Sequence, residues 1–374
     1  MTYSKGIAVD IGTSTIGMAL VEQTTGAILA QYGCRNSQKK HGADVAARIR
    51  YGSTIEGAKE MSRLVKEDLL TGFRQLSKEW YTVKTIVISA NTTMEYLLLG
   101  RITKALGEYP FLMEDSGWRE YPIKELFQEG LKEQEQTCEA TVLFLPCIST
   151  FVGGDLTSGL YYLQFPKQRD CEILLDLGTN GEMAISGENG FYATSVAAGP
   201  AFEASMRGQG RKGTALTQWI ARARCRNQLT KEGTIAKRYE ETGIVLEDQL
   251  VLTQDILRKI QLAKGALLAG MELLLKQYGT TASEVKRVYI AGNFGFHLDV
   301  QSAVLIGMIP ANFQGKVEVV GNSSLKGAIQ CLLDTKAQEK MQHITKQVIG
   351  INLAEEKDFQ TAFLQRMSFE RIRL

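Results

Sequence analysis

The pattern of apolar and polar positions is most regular at two places 166 residues apart. Gly6-Ile7-Ala8-Val9-Asp10-Ile11-Gly12-Thr13-Ser14-Thr15 recurs in outline as Glu172-Ile173-Leu174-Leu175-Asp176-Leu177-Gly178-Thr179-Asn180-Gly181. In each copy an apolar run ends in Asp-x-Gly-Thr, passes through small or polar residues, and resumes as a second apolar run at 16–21 or 182–185. The spacing predicts two β-hairpins whose tips are made of glycine and hydroxyl residues. Downstream the two halves stay in step. Apolar runs at 85–89 and 287–290 lead into Ala90-Asn91-Thr92-Thr93 and Ala291-Gly292-Asn293-Phe294-Gly295. Runs at 142–145 and 317–320 lead into Phe151-Val152-Gly153-Gly154-Asp155 and Gly321-Asn322-Ser323-Ser324. Strands alternating with helical stretches make each half an α/β layer structure.

The clearest helix starts at Thr253, a suitable N-cap with Asp255 in the first turn. Ile256, Ile260, Ala263, Leu267, Met271 and Leu274 then mark one face, and Gly279 is the stop. The stretches 107–137 and 225–247 are polar and less periodic, and read as an insertion and a surface excursion. The halves divide at 168/169: residues 1–168 carry the first hairpin, and 169–374 carry the second, with a C-terminal segment that packs back on the first half.

Composition narrows the class. A chain of 374 residues is long enough for two or three domains with full cores. Its 43 Lys+Arg against 41 Asp+Glu leave no field to attract nucleic acid or an acidic membrane. No apolar run reaches the ~20 residues of a bilayer span, and the first residues lack a signal-peptide pattern, so a cytoplasmic location is expected. Of the six cysteines (Cys34, Cys138, Cys147, Cys171, Cys225 and Cys331), no two stand at C-x-x-C spacing, which leaves no local signature for zinc or an iron–sulfur cluster. Eight of the 36 glycines (Gly12, Gly153, Gly154, Gly178, Gly181, Gly292, Gly295 and Gly321) stand at the strand ends just described.

A tip of Gly, Thr and Ser aims backbone N–H groups and hydroxyls into a tight turn that suits a phosphate. Candidate phosphate contacts are Gly12, Thr13, Ser14 and Thr15 in the first tip, and Gly178, Thr179, Asn180 and Gly181 in the second. Asp10 and Asp176 end the leading strands, where carboxylates hold Mg²⁺ through water. One such tip alone is most often a plain hairpin; two equivalent ones point to a nucleotide. Ala291, Gly292 and Gly295 carry no bulky side chain and leave room for an adenosine, with Gly292, Asn293 and Phe294 as its candidate contacts, or the stretch forms only a tight strand-to-helix turn. Asp155 is either a helix N-cap or the acid that orients an attacking water. Gln261 and Lys264 share one helix face; Lys264 reaches a phosphate or ribose, or is a solvated surface lysine. Ala197-Ala198-Gly199-Pro200-Ala201-Phe202-Glu203 is a small-residue turn that contacts nucleotide, with Glu203 as the candidate, or carries closure between domains, or is plain packing. His41 and His297 stand alone and take no metal or base role.

The chain thus resembles the superfamily of acetate and sugar kinases, heat-shock chaperone ATPases and actin. Asp10 to Thr15 resembles its first phosphate motif, Asp176 to Glu182 its second, and Val288 to Gly295 its adenosine motif. Asn91 with its neighbours and Gly321 with Asn322 resemble the interdomain connections. Asn36-Ser37-Gln38, Gly42-Ala43-Asp44-Val45-Ala46-Ala47-Arg48-Ile49, Asn91-Thr92-Thr93-Met94, Phe151-Val152-Gly153-Gly154-Asp155, Ala198-Gly199-Pro200-Ala201-Phe202-Glu203, Thr253-Gln254-Asp255-Ile256 and Gln261-Leu262-Ala263-Lys264-Gly265-Ala266 resemble, more narrowly, the ATPase domain of the reductive activators of corrinoid proteins. That resemblance implies an α/β fold of two ribonuclease-H-like halves with an ATP cleft between them. It implies Asp10, Asp155 and Asp176 as catalytic residues, Asp10 and Asp176 as Mg²⁺ ligands, and ATP with Mg²⁺ as cofactors. The implied function is ATP-driven reduction of Co(II) to Co(I) on a corrinoid protein of a methyltransferase system. Relatives carry an iron–sulfur module; this sequence starts at the ATPase domain without a cysteine cluster, so no such cluster is expected on this chain and the electron is expected from a separate donor. A homodimer is compatible with the sequence. The alternatives are a small-molecule kinase of the same superfamily and a non-catalytic nucleotide sensor.

Overall fold

A computed structural model describes residues 4–165, 169–198, 214–246 and 251–374, apart from the side chains of Thr214, Ala215 and Asn293. The chain forms two compact units, one of residues 1–165 with 323–348, the other of 166–322 with 349–374. The segment that returns to the first unit is therefore 323–348, while the last residues stay with the second.

In the first unit, β1 (Lys5–Ile11), β2 (Thr15–Glu22), β3 (Ile28–Arg35), β4 (Thr85–Ala90), β5 (Arg119–Pro122) and β6 (Thr141–Phe144) form one sheet in the order β3-β2-β1-β4-β6-β5. β1 is antiparallel to β2 and parallel to β4, and Asp10 lies opposite Gly17 on one side and Ser89 on the other. Helices cover both faces, so Ile7, Ala8, Val9 and Ile11 are all fully buried, as an almost unbroken apolar run requires. The helix Ile55–Leu76, capped by Thr54, packs its apolar stripe on this sheet. The helices Gly154–Tyr162 and Ser323–Leu333 lie against each other and against β1 and β4. Their approach is close enough that a Cβ on Gly327 would meet the Ser158 backbone.

The second unit repeats the plan with β7 (Glu172–Leu177), β8 (Gly181–Gly187), β9 (Gly190–Val196), β12 (Arg287–Ala291), β13 (Val317–Gly321) and β14 (Ile349–Gly350), ordered β13-β12-β7-β8-β9-β14. β10 (Ile244–Val245) and β11 (Val251–Leu252) pair separately. Five strands correspond across the units, β3-β2-β1-β4-β6 with β9-β8-β7-β12-β13, and share the same parallel and antiparallel pairings. The units differ at the outer edge: β5 is antiparallel to β6, and β14 is parallel to β9.

The helix Gln254–Tyr278 runs between the ends predicted for it: Thr253 Oγ1 accepts from Ile256 N, and Gly279 takes the left-handed conformation at φ 78°. It crosses β8 and β9 at Gly181 and Gly270; side chains at these positions would enter Leu267, Val196 and Met183. The 225–247 stretch is not a mere surface excursion. Leu229, Ile235 and Ile244 are buried in the second unit's core. Within 107–137, β5 was not foreseen, since Arg119-Glu120-Tyr121-Pro122 is a short polar edge strand. No helix among the described residues is long and apolar enough to cross a membrane.

Candidate functional site

Both predicted hairpins form, with tips of different length. Four residues separate the last paired positions Ile11 and Ile16, and three separate Leu177 and Gly181. Gly12 N donates to Thr15 O at 3.0 Å, and Gly178 N to Asn180 O at 3.0 Å. A Cβ on Gly12 would stand 2.9 Å from Thr15 O, so the first turn needs glycine there. Thr13, Ser14 and Thr179 are buried, while Thr15 is exposed.

The first tip is braced from behind. Fully buried Arg48 donates to Thr13 O through a terminal nitrogen, to Gly42 O from Nε at 3.1 Å, and to Gln38 Oε1 at 3.1 Å. Asn36, also fully buried, donates from Nδ2 to Gly12 O at 3.0 Å and from its backbone to Ser14 O at 3.0 Å. Asn91 caps the helix Thr92–Leu98 by accepting from Met94 N, and its Nδ2 reaches Thr13 Oγ1 at 3.3 Å. Three tip carbonyls are thus drawn into the protein, the arrangement a phosphate turn needs. Sequence reasoning picked out these residues only as part of a resemblance. A buried arginine among small residues was the available signal.

Asp10 is half-buried, and its Oδ1 accepts a 2.6 Å hydrogen bond from Ser324 Oγ. Asp155 sits in the first turn of the helix Gly154–Tyr162 but is not its N-cap; Gly153 is. The two glycines let the helix start against the end of β4: a Cβ on Gly153 would stand 2.6 Å from Thr92 N, and one on Gly154 would stand 2.7 Å from Leu145 O. Desolvation pushes the Asp155 carboxyl well above the usual carboxylate range, and the Asp10 charge pushes it the same way, against a 2.8 Å hydrogen bond from Leu156 N. The first unit therefore brings Asp10 and Asp155 into electrostatic contact beside the tip.

In the second unit Asp176 stands opposite Glu182 on β8 and Ala291 on β12. Gly292 follows at φ 83°, and a Cβ there would stand 2.5 Å from both Asp176 Oδ1 and Leu177 O. Phe294 is buried in the following turn, Gly292–Phe296, and the Asn293 side chain lies outside what the structure describes. Glu203 and the turn 199–203 also lie outside the described residues.

Gln261 and Lys264 have partners of their own. Gln261 Nε2 donates to Glu232 O at 2.8 Å and Met367 O at 3.1 Å. Lys264 is fully buried, not solvated, and donates to Arg366 O at 2.6 Å. Desolvation lowers its ammonium to about 7, with Arg366 adding to the fall and Glu370 opposing it. A nucleotide reaching this face would have to displace the C-terminal segment.

The donors fit the expected ligands. Mg²⁺ takes hard oxygens from one or two carboxylates together with phosphate and water, and Asp10 and Asp176 each offer such a carboxylate at the base of a hairpin tip. Gly12 lets the tip close on Thr15 O, and with three tip carbonyls turned into the protein the tip suits a phosphate.

Comparison with known proteins bears on the family and the fold. The family model described as the C-terminal domain of RACo, the ASKHA domain, matches residues 170–244 and 209–374, and the model described as the RACo middle region matches 5–168. The corrinoid activation enzyme RamQ of Eubacterium limosum is 29% identical over 97% of this chain and 70% of its own length. A [Co(II) methylated amine-specific corrinoid protein] reductase of Methanosarcina barkeri is 22% identical over 67% of this chain and 55% of its own. The solved structure of a reductive activator for corrinoid, iron–sulfur protein superposes with a TM-score of 0.86 at 26% identity, covering 98% of this chain and 66% of that one. The chain therefore spans between about half and 70% of these relatives. It belongs to the RACo family, of which it carries the middle region and the C-terminal ASKHA domain.

Proposed function

We propose that this chain is an ATP-dependent activator of a corrinoid protein. It couples ATP binding and hydrolysis to the return of cobalt from Co(II) to Co(I) on that partner. One electron enters the cobalt from a separate low-potential donor protein, and ATP and water leave as ADP and phosphate. The observation that carries the reading is the pair Asp10 and Asp155 beside a phosphate-type hairpin braced by Arg48, in a chain whose relatives activate or reduce corrinoid proteins.

Mg²⁺, when bound, supplies positive charge to the phosphates, with Asp10 and Asp176 as the residues that hold it. The residues of the chain do the rest. The tip N–H groups of the two hairpins orient phosphate oxygens. Asp155, with its elevated carboxyl, is the better proton acceptor near neutral pH, which suits a group that orients and deprotonates an attacking water. Adenosine lies against the small residues that follow β12.

The test is ATP hydrolysis with and without a corrinoid protein drawn from a methyltransferase system, under a low-potential reductant. Stimulation of hydrolysis, with appearance of the Co(I) absorption spectrum, is expected. Asp10→Ala or Asp176→Ala should lower hydrolysis on the order of 100-fold, the scale of losing a group that stabilises transition-state charge. Phosphoryl transfer to a sugar or carboxylate without stimulation would instead identify a kinase. Nucleotide binding without turnover, unchanged by Asp155→Asn, would identify a sensor.

A further inference from the structure

The helix Ser323–Leu333 opens with two buried serines at the point where the chain passes back into the first unit. Ser324 is only 4% exposed and is held on both sides. Its backbone carbonyl accepts from Ser158 Oγ at 2.7 Å. Its hydroxyl donates to Asp10 Oδ1 at 2.6 Å and lies 2.8 Å from Ser89 Oγ. Ser89 is the residue opposite Asp10 on β4, and its Oγ is also 3.2 Å from Gly154 O. A hydroxyl has one proton to give. A carboxylate is the stronger acceptor, so the Ser324 proton goes to Asp10, and the Ser324 oxygen is left to accept from Ser89, whose single proton is shared between it and Gly154 O.

This arrangement leaves Ser324 nothing to offer a substrate, yet it fixes one oxygen of the first hairpin's aspartate. The terminal torsion of an aspartate is otherwise broad, so a short hydrogen bond to one oxygen decides where the other points. The serine cannot withdraw: Ser158 holds its carbonyl, and Gly327, one turn on, has no space for a Cβ against the Ser158 backbone.

We infer that Ser324, seconded by Ser89, is a positioning residue that orients the Asp10 carboxylate for its work on Mg²⁺-ATP. The inference rests on the ATPase reading of the hairpin. The aspartate at residue 10 is thus set by a hydroxyl 314 residues along the chain, on the segment that enters from the second unit's last main strand.

The experiment is a double-mutant cycle on the full chain, with Mg²⁺-dependent ATP binding measured by calorimetry and hydrolysis measured alongside. Ser324→Ala is expected to weaken Mg²⁺-ATP binding about 10-fold, the scale found for groups that orient a metal ligand from behind. The control is Tyr161→Phe. It removes a comparable hydrogen bond, Tyr161 Oη to Asp334 Oδ2 at 2.6 Å, between the same helix and the returning segment, without touching Asp10. Tyr161→Phe should shift melting as much as Ser324→Ala and leave the Mg²⁺ dependence alone. In an Asp10→Asn background Ser324→Ala should add almost nothing, because neighbours that act as one unit are not additive. Equal Mg²⁺ dependence in Ser324→Ala and Tyr161→Phe, or full additivity with Asp10→Asn, overturns the inference while leaving the ATPase reading intact. If Ser324→Ala does not fold, Ser89→Ala takes its place with a smaller shift in the same direction, and no shift overturns the inference. A wild-type chain that does not bind Mg²⁺-ATP overturns the ATPase reading and this inference with it.

Discussion

Among the described residues each unit buries one long cation completely, Arg48 in the first and Lys264 in the second, and each donates to backbone carbonyls. Arg48 holds the hairpin tip, donating to Thr13 O and Gly42 O. Lys264 holds the C-terminal segment through Arg366 O. A guanidinium keeps its proton at any accessible pH and serves several acceptors at once; a buried ammonium is a point donor that gives up its proton readily. The first unit has therefore put a fixed charge behind the hairpin tip proposed to hold a phosphate. The second has put a titratable one where chain end meets helix. The two aspartates differ in the same sense: Asp10 is held by a donated hydrogen bond, whereas Asp176 is given room by the missing side chain of Gly292.

The sharpest way to break this comparison is pH. The folded-state value of Lys264 is about 7 against an ordinary 10.5. Between those values the unfolded chain holds a proton that the folded chain does not, so stability rises as pH rises across this window and is flat for this group below it. The swing is about 5 kcal/mol at most. Denaturant unfolding of wild type and Lys264→Met from pH 6.5 to 10.5 should give a difference that changes by a large part of this amount. Cys147, Cys331 and Tyr161, whose protons are held more tightly when folded, contribute equally to both proteins and cancel. A pH-independent difference would show that Lys264 is charged in the fold and the contrast with Arg48 false.

Gly292→Ala probes the second aspartate's surroundings. Left-handed strain and the approach to Leu177 O together should cost about 4 kcal/mol, read as a fall in the denaturation midpoint. Arg48→Lys probes the first unit's brace and should cost about 3 kcal/mol, because an ammonium cannot replace the fork that serves Thr13, Gly42 and Gln38. The two should part in their pH behaviour: Gly292→Ala adds no titratable group, so its deficit should be flat with pH, whereas Arg48→Lys puts an ammonium in a fully buried site where desolvation favours the neutral amine, so its deficit should shrink as pH rises.

What was legible in the sequence was whatever repeats or caps. The two Asp-x-Gly-Thr hairpins, the strands that follow them, and the helix from Thr253 to Gly279 are specified by local chemistry and appear as read. Edge strands β3, β5 and β14 carry polar or exposed residues and give no apolar run to read. The long helix Ile55–Leu76 was passed over although its cap and stripe were present. At the site, the aspartates and glycines were visible because each is required by backbone geometry at its own position. The groups that steer them were not, because Arg48, Asn36 and Ser324 act on residues 35, 24 and 314 positions away. The burial of Lys264 was not legible for the same reason: neither the phosphate reading nor the solvated one allowed for a carbonyl 102 residues downstream.

The smallest prediction separates a cap from a brace. Thr253 and Asn91 both cap helices, accepting from Ile256 N and Met94 N. Thr253 does nothing else in its unit's hairpin, whereas the Asn91 amide also reaches Thr13 Oγ1 in the first tip. Removing a cap costs about 1 kcal/mol, and a neutral hydrogen bond adds about 1 kcal/mol more. Thr253→Ala should therefore lower stability by the cap alone, and Asn91→Ala by roughly twice as much. The second effect should also carry over to ATP affinity, because the loosened residue is in the tip itself. Equal losses in the two variants, with ATP affinity untouched in Asn91→Ala, would mean that the 3.3 Å contact contributes nothing and that the first tip is held by Arg48 and Asn36 alone.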